Sequence, residues 1–139
     1  MKKIMIGFLL IYNTNIFAAQ FNSSMQEYIN GLKIEAKQEN SSFVDFSVKE
    51  GEKIFSTSHM GKKGEMVSCT SCHNIDLTTM GKNVFTNKLI EPLSPNKNSQ
   101  RLTNVKDVEK WLKRNFKDVY NREGTTQEKG DVLYYINSK

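Results

Sequence analysis

The sequence predicts an all-α fold, and three observations support this prediction. Apolar residues recur at helical spacing in four stretches, and three of these stretches begin with residues that typically cap helices. No segment shows the alternation of a half-buried strand. Residues 20–139 provide 120 residues, which is enough for one small domain.

The two amino-terminal helices are predicted on either side of a polar break at residues 39–42. The first covers residues 23–37 within an N-terminal extension of residues 20–42, and its apolar stripe is Met25, Tyr28, Ile29 and Leu32. The second covers residues 47–56, where Ser47 and Glu50 have capping-box spacing. Its apolar face is Val48, Gly51 and Phe55, and the glycine would let another helix approach closely.

Two loops separate these helices from the last two. Residues 57–67 are rich in Gly and Lys, and residues 74–100 contain both prolines of the chain. A structureless loop as long as the second is uncommon in a compact domain unless it has a function. One such function is to wrap a cofactor, whose apolar surface then replaces part of the core.

The two carboxy-terminal helices have clear starting signals. Asn104 can cap a helix that runs to Tyr120, and Thr125 with Glu128 has capping-box spacing for the last helix. The apolar positions are Val105, Val108, Leu112 and Val119, widened by Trp111 and Phe116, and then Val132, Leu133, Tyr135 and Ile136.

Residues 69–73 read Cys-Thr-Ser-Cys-His, the C-x-x-C-H signal for haem attachment. Cys69 and Cys72 can each form a thioether with a haem vinyl group, because two intervening residues in a helical turn set a suitable spacing. His73 can then bind the iron as the proximal ligand. The chain has two cysteines and two histidines, so this segment holds both thiols and one of the imidazoles. The sequence therefore predicts one covalently bound haem c.

Three other uses of the cysteines fit less well. A thioredoxin-type dithiol site occurs in a βαβ context, which the sequence does not show. A structural zinc site needs four ligands, and only His59 is left to help. An exported protein can form a disulfide, but the two-residue gap and the adjacent His73 favour haem.

The first 19 residues are typical of a secretory signal peptide. Lys2 and Lys3 precede an apolar run over residues 4–12, and Ala18 and Ala19 offer a cleavage site. An uncleaved membrane anchor is the alternative, although the run is short for one. Export to the periplasm agrees with haem attachment, because bacterial c-type cytochromes receive their haem outside the cytoplasmic membrane.

The mature chain has a mild positive charge. Two of the 20 basic residues lie in the signal peptide, which leaves 18 against 15 acidic residues and a net charge of +3. No basic run interleaves with aromatic residues, so nucleic-acid binding is not predicted. A weakly cationic face would help to dock an acidic electron-transfer partner, although a merely solvated surface is the favoured explanation.

Residue spacing leaves the second axial ligand of the iron open. Met80 is the only methionine after His73, but it follows by seven residues, and the chain must first complete the helix under the proximal face. Met60, Met66 and His59 lie upstream and stay open as ligands.

Asn115 is a further candidate on the predicted Trp111 helix. It lies four residues after Trp111, on or beside the apolar stripe, where a polar amide needs a partner. That partner is either a loop backbone or an iron, and spacing does not choose between them. Trp111 itself packs either near the haem edge or in the ordinary core.

Several motifs in order resemble the sphaeroides haem protein family, whose members are monohaem cytochromes c. The matching segments are F-V-D-F-S-V-K-E-G-E-K-I-F, S-C-T-S-C-H, I-E-P-L-S-P, V-E-K-W-L-K-R-N and T-Q-E-K-G-D-V-L. The resemblance implies a small class I cytochrome c-like helical domain that wraps around one haem, here with an extra N-terminal helix. It also implies that Asn115, in the R-N pair, is the distal ligand of the ferric haem.

The resemblance further implies a function. An amide oxygen is a hard, weak ligand that suits Fe(III) better than Fe(II), so we expect Asn115 to leave the iron on reduction and to open a site for O₂, NO or CO. The expected protein is a periplasmic electron-transfer or gas-binding cytochrome that receives electrons from other periplasmic or membrane-bound cytochromes. A conventional Met80-ligated carrier stays open. So does a haem-dependent redox enzyme acting on O₂ or NO, although no histidine after His73 offers distal acid–base chemistry.

One departure from the family concerns the loop after the R-N pair. Some relatives have cysteines there that form a disulfide, where this chain has Phe116 and Gly124. We therefore expect a looser distal loop that is held by the packing of Phe116 and Val119.

Overall fold

The structure is a computed structural model that describes residues 20–139. The predicted signal peptide, residues 1–19, lies outside the described residues. The helices are α1 (Ser23–Glu39), α2 (Val48–Ser56), α3 (Thr70–His73), α4 (Val105–Tyr120) and α5 (Thr126–Asn137). The all-α prediction is confirmed, and each predicted long helix is present.

Side chains cap the starts of the four long helices. The side chains of Asn22, Ser47 and Asn104 accept hydrogen bonds from backbone N–H groups in the first turns of α1, α2 and α4. Thr125 and Glu128 form the predicted capping box at the start of α5. Each such cap contributes about 1 kcal/mol to helix stability, which explains why these local signals locate the helices.

Two short antiparallel hairpins lie on either side of α3. Strand β1 (His59–Met60) pairs with β2 (Met66–Val67), and β3 (Gly81–Lys82) pairs with β4 (Leu89–Ile90). The prediction that these segments are strand-free loops was wrong. Strands of two residues are too short to show an alternating pattern in the sequence.

Helices α2 and α5 pack closely because Gly51 has no side chain. A Cβ atom on Gly51 would overlap the carbonyl oxygen of Asp131 and lie 2.8 Å from the Cβ atom of Tyr135. The predicted close helix approach at Gly51 is therefore confirmed. The Asp131 carboxylate also accepts a hydrogen bond of 2.7 Å from the backbone N–H of Ser47, which fixes the start of α2 against α5.

The predicted apolar stripes form the core, with two exceptions. Buried side chains come from α1, α2, α4 and α5, and Met25, Ile29 and Leu133 are almost fully buried. Val48, the first residue of α2, is 42% exposed, and Trp111 on α4 is 44% exposed. Trp111 therefore does not lie in the protein core.

Within residues 20–139, none of the helices has the length and apolarity needed to cross a membrane.

Candidate functional site

The C-x-x-C-H segment forms one helical turn. The backbone N–H groups of Cys72 and His73 donate to the carbonyl oxygen of Cys69 over 3.2 and 3.0 Å. Just before the turn, the backbone N–H of Ser68 donates to the Ser71 hydroxyl over 3.0 Å. Cys69 and Cys72 are free thiols and both are half-buried. The turn therefore holds two unpaired thiols that are separated by two residues.

The His73 imidazole is held in its neutral form. Burial, with a smaller contribution from the charge of Arg101, lowers the pKa of His73 to about 4. The ring lies 5.9 Å from the ring of Phe55, centroid to centroid. Neutral imidazole is the form that binds a metal, because its ring nitrogen then has a free lone pair.

The Cys69 thiol lacks the character of a redox-active nucleophile. Burial, followed by the nearby Cys72, raises the pKa of Cys69 to about 12. Thioredoxin-type cysteines have lowered pKa values that favour the thiolate at neutral pH. This environment favours the haem interpretation over the dithiol one.

Strand β3 packs directly on the backbone of the motif. A Cβ atom on Gly81 would overlap the carbonyl oxygen of Cys72 and lie 3.1 Å from the Cα atom of His73. Asn74, with a positive φ of 62°, donates from its side chain to the carbonyl oxygen of Met80 over 2.7 Å. The backbone of Met80 is thus fixed at the end of α3, while its side chain is 42% exposed.

The surroundings of the motif fit a large apolar cofactor. Ten large apolar side chains are exposed in the described part of the chain, and six of them lie between residues 60 and 89: Met60, Met66, Ile75, Met80, Val84 and Leu89. Exposed apolar side chains concentrated in the segment that carries the motif are surface that a cofactor can cover. Two thiols, a neutral imidazole and exposed apolar side chains together suit a covalently bound haem.

Asn115 is half-buried on α4. Its helix neighbours Leu112, Phe116 and Val119 are buried, so it lies beside the apolar stripe as predicted. Its side chain makes no hydrogen bond within residues 20–139. The amide is therefore free of the loop-backbone partner that was one of its two predicted roles.

The carboxy-terminal half of α4 contacts the hairpin of β1 and β2. The backbone N–H of Lys62 donates to the carbonyl oxygen of Asp118 over 3.0 Å. The ring of Tyr120 stacks on His59 at a centroid distance of 4.1 Å, and its hydroxyl donates to the carbonyl oxygen of Ile54 over 2.7 Å. Burial, with a smaller contribution from Cys69, raises the pKa of Tyr120 to about 12. The imidazole ring of His59 is thus in contact with the ring of Tyr120.

The loop after α4 is packed against that helix. A Cβ atom on Gly124 would lie 2.8 Å from the ring of Phe116, so the ring uses the space that a side chain would need. Phe116 and Val119 are buried as predicted. Glu123 lies 3.3 Å from the ammonium group of Lys113 and 3.4 Å from that of Lys117. The looseness of this loop stays a prediction.

Arg101 is a site residue that the sequence reasoning missed. Its Nε donates to the carbonyl oxygen of Pro92 over 3.0 Å and its Nη2 to that of Glu91 over 2.9 Å. Its charge reaches His73, where it lowers the imidazole pKa. No local signal was available, because Arg101 bonds to backbone carbonyl groups, which every residue has.

Comparison with known proteins identifies the family. Residues 41–136 match the family described as Domain of unknown function (DUF1924). The cytochrome c-type protein SHP of Cereibacter sphaeroides is 40% identical over 86 residues, which are 62% of this chain and 66% of SHP. The structure of oxidised SHP, an oxygen-binding cytochrome c, matches with a TM-score of 0.73 and 32% identity, covering 85% of this chain and 99% of that chain. The chain belongs to the sphaeroides haem protein family.

Cytochrome c'' of Methylophilus methylotrophus is a more distant relative of this chain than SHP. It is 29% identical over 90 residues, which are 65% of this chain and 62% of cytochrome c''. The crystal structure of its oxidised form matches with a TM-score of 0.73 and 24% identity, covering 82% of this chain and 93% of that chain. The sequence alignments span slightly less than two thirds of the length of either relative. The shared architecture confirms the predicted class I-like helical fold.

Proposed function

We propose that this protein is an exported, periplasmic c-type cytochrome that carries one haem. Cys69 and Cys72 form the thioethers and His73 is the proximal ligand. The observation that carries this proposal is the single turn of α3, which holds both thiols of the described chain beside a neutral imidazole. The relatives SHP and cytochrome c'' are cytochromes, which supports it. The haem, when bound, supplies an iron that exchanges one electron and binds small ligands.

Asn115 is proposed as the distal ligand of the ferric state. Its half-buried amide has no hydrogen-bond partner within residues 20–139, and it lies on α4, whose last residue, Tyr120, is near enough to Cys69 for the thiol to help raise the Tyr120 pKa. The amide oxygen prefers Fe(III), so Asn115 leaves on reduction and the distal position opens. The description of SHP as oxygen-binding supports this proposal, because O₂ binding needs an open distal position.

Met80 ranks below Asn115 as the distal ligand. Its carbonyl oxygen is bonded to the side chain of Asn74, directly after α3, and the next residue, Gly81, touches the backbone of His73. The Met80 side chain therefore starts from the end of the turn that carries the proximal ligand. A sulfur ligand would have to reach around to the opposite face.

The two hairpins offer a docking surface for an electron-donor cytochrome with an acidic rim. Lys62, Lys63, Lys82 and Lys88 are exposed and belong to none of the ion pairs within residues 20–139. The Lys63 ammonium lies 4.3 Å from the ring centroid of Phe85, which joins the two hairpins into one surface. Unpaired lysines steer acidic partners, and salt weakens this steering.

Optical spectroscopy of the exported protein tests the proposed function. We expect haem to stay with the polypeptide on a denaturing gel. We also expect the dithionite-reduced protein to be high-spin and to bind CO rapidly, which would support gas binding. A reduced protein that is low-spin and does not bind CO, with a Met–iron band in the ferric form, would support a Met80-ligated electron carrier instead. Catalytic consumption of O₂ or NO would point to an enzyme.

A further inference from the structure

Arg101 belongs to the same part of the chain as the proximal histidine. Its guanidinium donates to the carbonyl oxygens of Glu91 and Pro92. The next two residues, Leu93 and Ser94, donate their backbone N–H groups to the carbonyl oxygen of Leu77, each over 2.9 Å. Because Leu77 follows His73 by four residues, the loop that holds Arg101 is anchored beside the end of α3.

The guanidinium has unused donors and no close anion. It carries five N–H donors, of which two are used by the carbonyl oxygens of Glu91 and Pro92. None of the ion pairs within residues 20–139 includes Arg101. Burial lowers the pKa of the Arg101 guanidinium. The Glu91 carboxylate partly raises it again, but it lies beyond ion-pair distance. A half-buried cation of this kind is costly unless an anion pairs with it.

We propose that Arg101 binds a propionate of the haem while it holds the carbonyl oxygens of Glu91 and Pro92. This inference rests on the proposed function, because the haem brings the carboxylate. The planar guanidinium suits a carboxylate, to which it can donate two parallel hydrogen bonds. One side chain thereby joins the cofactor to the loop that is anchored at Leu77.

Arg101 is then a positioning residue that also sets the redox equilibrium. Its charge compensates a propionate close to the iron. Without it, the uncompensated negative charge favours the ferric form. We expect the Arg101→Gln variant to shift the ferrous-to-ferric ratio at a given potential about tenfold towards ferric, which is a potential lowered by about 59 mV for one electron.

Potentiometric titration of the purified holoprotein, together with resonance Raman spectra of the propionate bending bands, tests this proposal. The variants are Arg101→Gln, the charge-retaining Arg101→Lys, and Arg122→Gln as a control. Arg122 is a suitable control because it pairs with Glu128 over 2.6 Å at the start of α5. We expect R101Q to lower the potential and to shift a propionate band, R101K to keep most of the potential, and R122Q to change neither.

A structural role alone gives a different result. If R101Q lowers the melting temperature but leaves the potential and the propionate bands unchanged, Arg101 only clamps the loop and the proposal is overturned. If R101Q cannot be isolated with haem, R101K decides, because the loss of the planar fork must shift the band; an unchanged band overturns the proposal. A wild-type protein without covalent haem would overturn the proposed function as well, so the two failures are distinguishable.

Discussion

The four long helices and the segment between them obtain their stability in different ways. We call α1, α2, α4 and α5 the helical frame, and residues 57–103 the motif segment. Of the 17 buried apolar residues in the described chain, the motif segment contributes only Val67 and Leu77. The frame has its own apolar core, whereas the motif segment consists of short hairpins, one helical turn and exposed apolar side chains.

This difference indicates that the motif segment depends on its cofactor for apolar contacts. A segment that buries little apolar surface cannot offset the conformational entropy lost on ordering. Covalent haem would supply that surface. Changes in the buried core of the frame should therefore act mainly on unfolding, and changes in the motif segment mainly on the haem.

The largest effect is expected from replacing both thiols. The Cys69→Ser/Cys72→Ser protein should carry no covalent haem, because no thioether can form. Amide hydrogen exchange should then show residues 57–103 unprotected while α1 and α5 keep most of their protection. The Ser71→Ala protein, altered between the two cysteines, should keep its haem. Equal protection of the two regions in the haem-free protein would contradict the comparison.

A large effect within the frame is expected at Gly51. The Gly51→Ala change makes a methyl group overlap the carbonyl oxygen of Asp131, so α2 and α5 must move apart. We expect the free energy of unfolding to fall by about 3 kcal/mol in denaturant titrations followed by circular dichroism. The haem spectrum should change little.

Gly31 in α1 is the matched control for that experiment. A Cβ atom on Gly31 would have no neighbour within 4 Å, so Gly31→Ala should raise the free energy of unfolding by about 0.8 kcal/mol through helix propensity. A loss of similar size in both variants would mean that the close packing around Gly51 does not determine the result there.

An intermediate effect is expected at Gly81 in the motif segment. The Gly81→Ala change makes a methyl group overlap the carbonyl oxygen of Cys72, so the turn that carries His73 must shift. We expect a lower haem-to-protein ratio in the pyridine haemochrome assay and displaced optical bands. The helical frame should unfold less readily in this variant than in Gly51→Ala. A normal haem content and spectrum would argue that the turn is set by other contacts.

The smallest effect is expected from the ion pair between Arg122 and Glu128. The hydrogen bond from Arg122 is the main cause that lowers the pKa of Glu128 from its ordinary value of 4.5. The ion pair therefore contributes its full stabilisation above pH 4.5. This stabilisation is lost as pH falls through the lowered pKa. Arg122 is nearly half exposed, and solvent screening limits the gain to below about 1 kcal/mol. Arg122→Gln should lower the melting temperature slightly at pH 7, and this loss should shrink as pH falls below the ordinary pKa of Glu128. A loss that does not change with pH would exclude the ion pair as its cause.

The helical frame could be predicted from the sequence because its signals are local. Ser47, Asn104 and Thr125 each bond to a backbone group within their own first turn, and Gly51 lies on a recognisable apolar face. The C-x-x-C-H turn is also local. These features need no knowledge of distant parts of the chain.

Other features depend on contacts that no local pattern encodes. Arg101 bonds to carbonyl groups nine and ten residues away, and its isolation from carboxylates shows only in three dimensions. The hairpins are too short for periodicity, and the exposure of Val48 and Trp111 follows from how the helices are oriented. The roles of Asn115 and Met80 are likewise not decided by spacing.

The ferric spectra of two variants test the central claim most directly. Electron paramagnetic resonance should show a ferric wild type with the weak-field signal of an amide-oxygen ligand, an Asn115→Ala protein whose signal differs because that ligand is gone, and a Met80→Leu protein that is unchanged. Both variants should retain covalent haem, since neither residue is part of the attachment turn. A low-spin spectrum that survives Asn115→Ala but is lost in Met80→Leu would contradict the account and assign the distal position to the methionine.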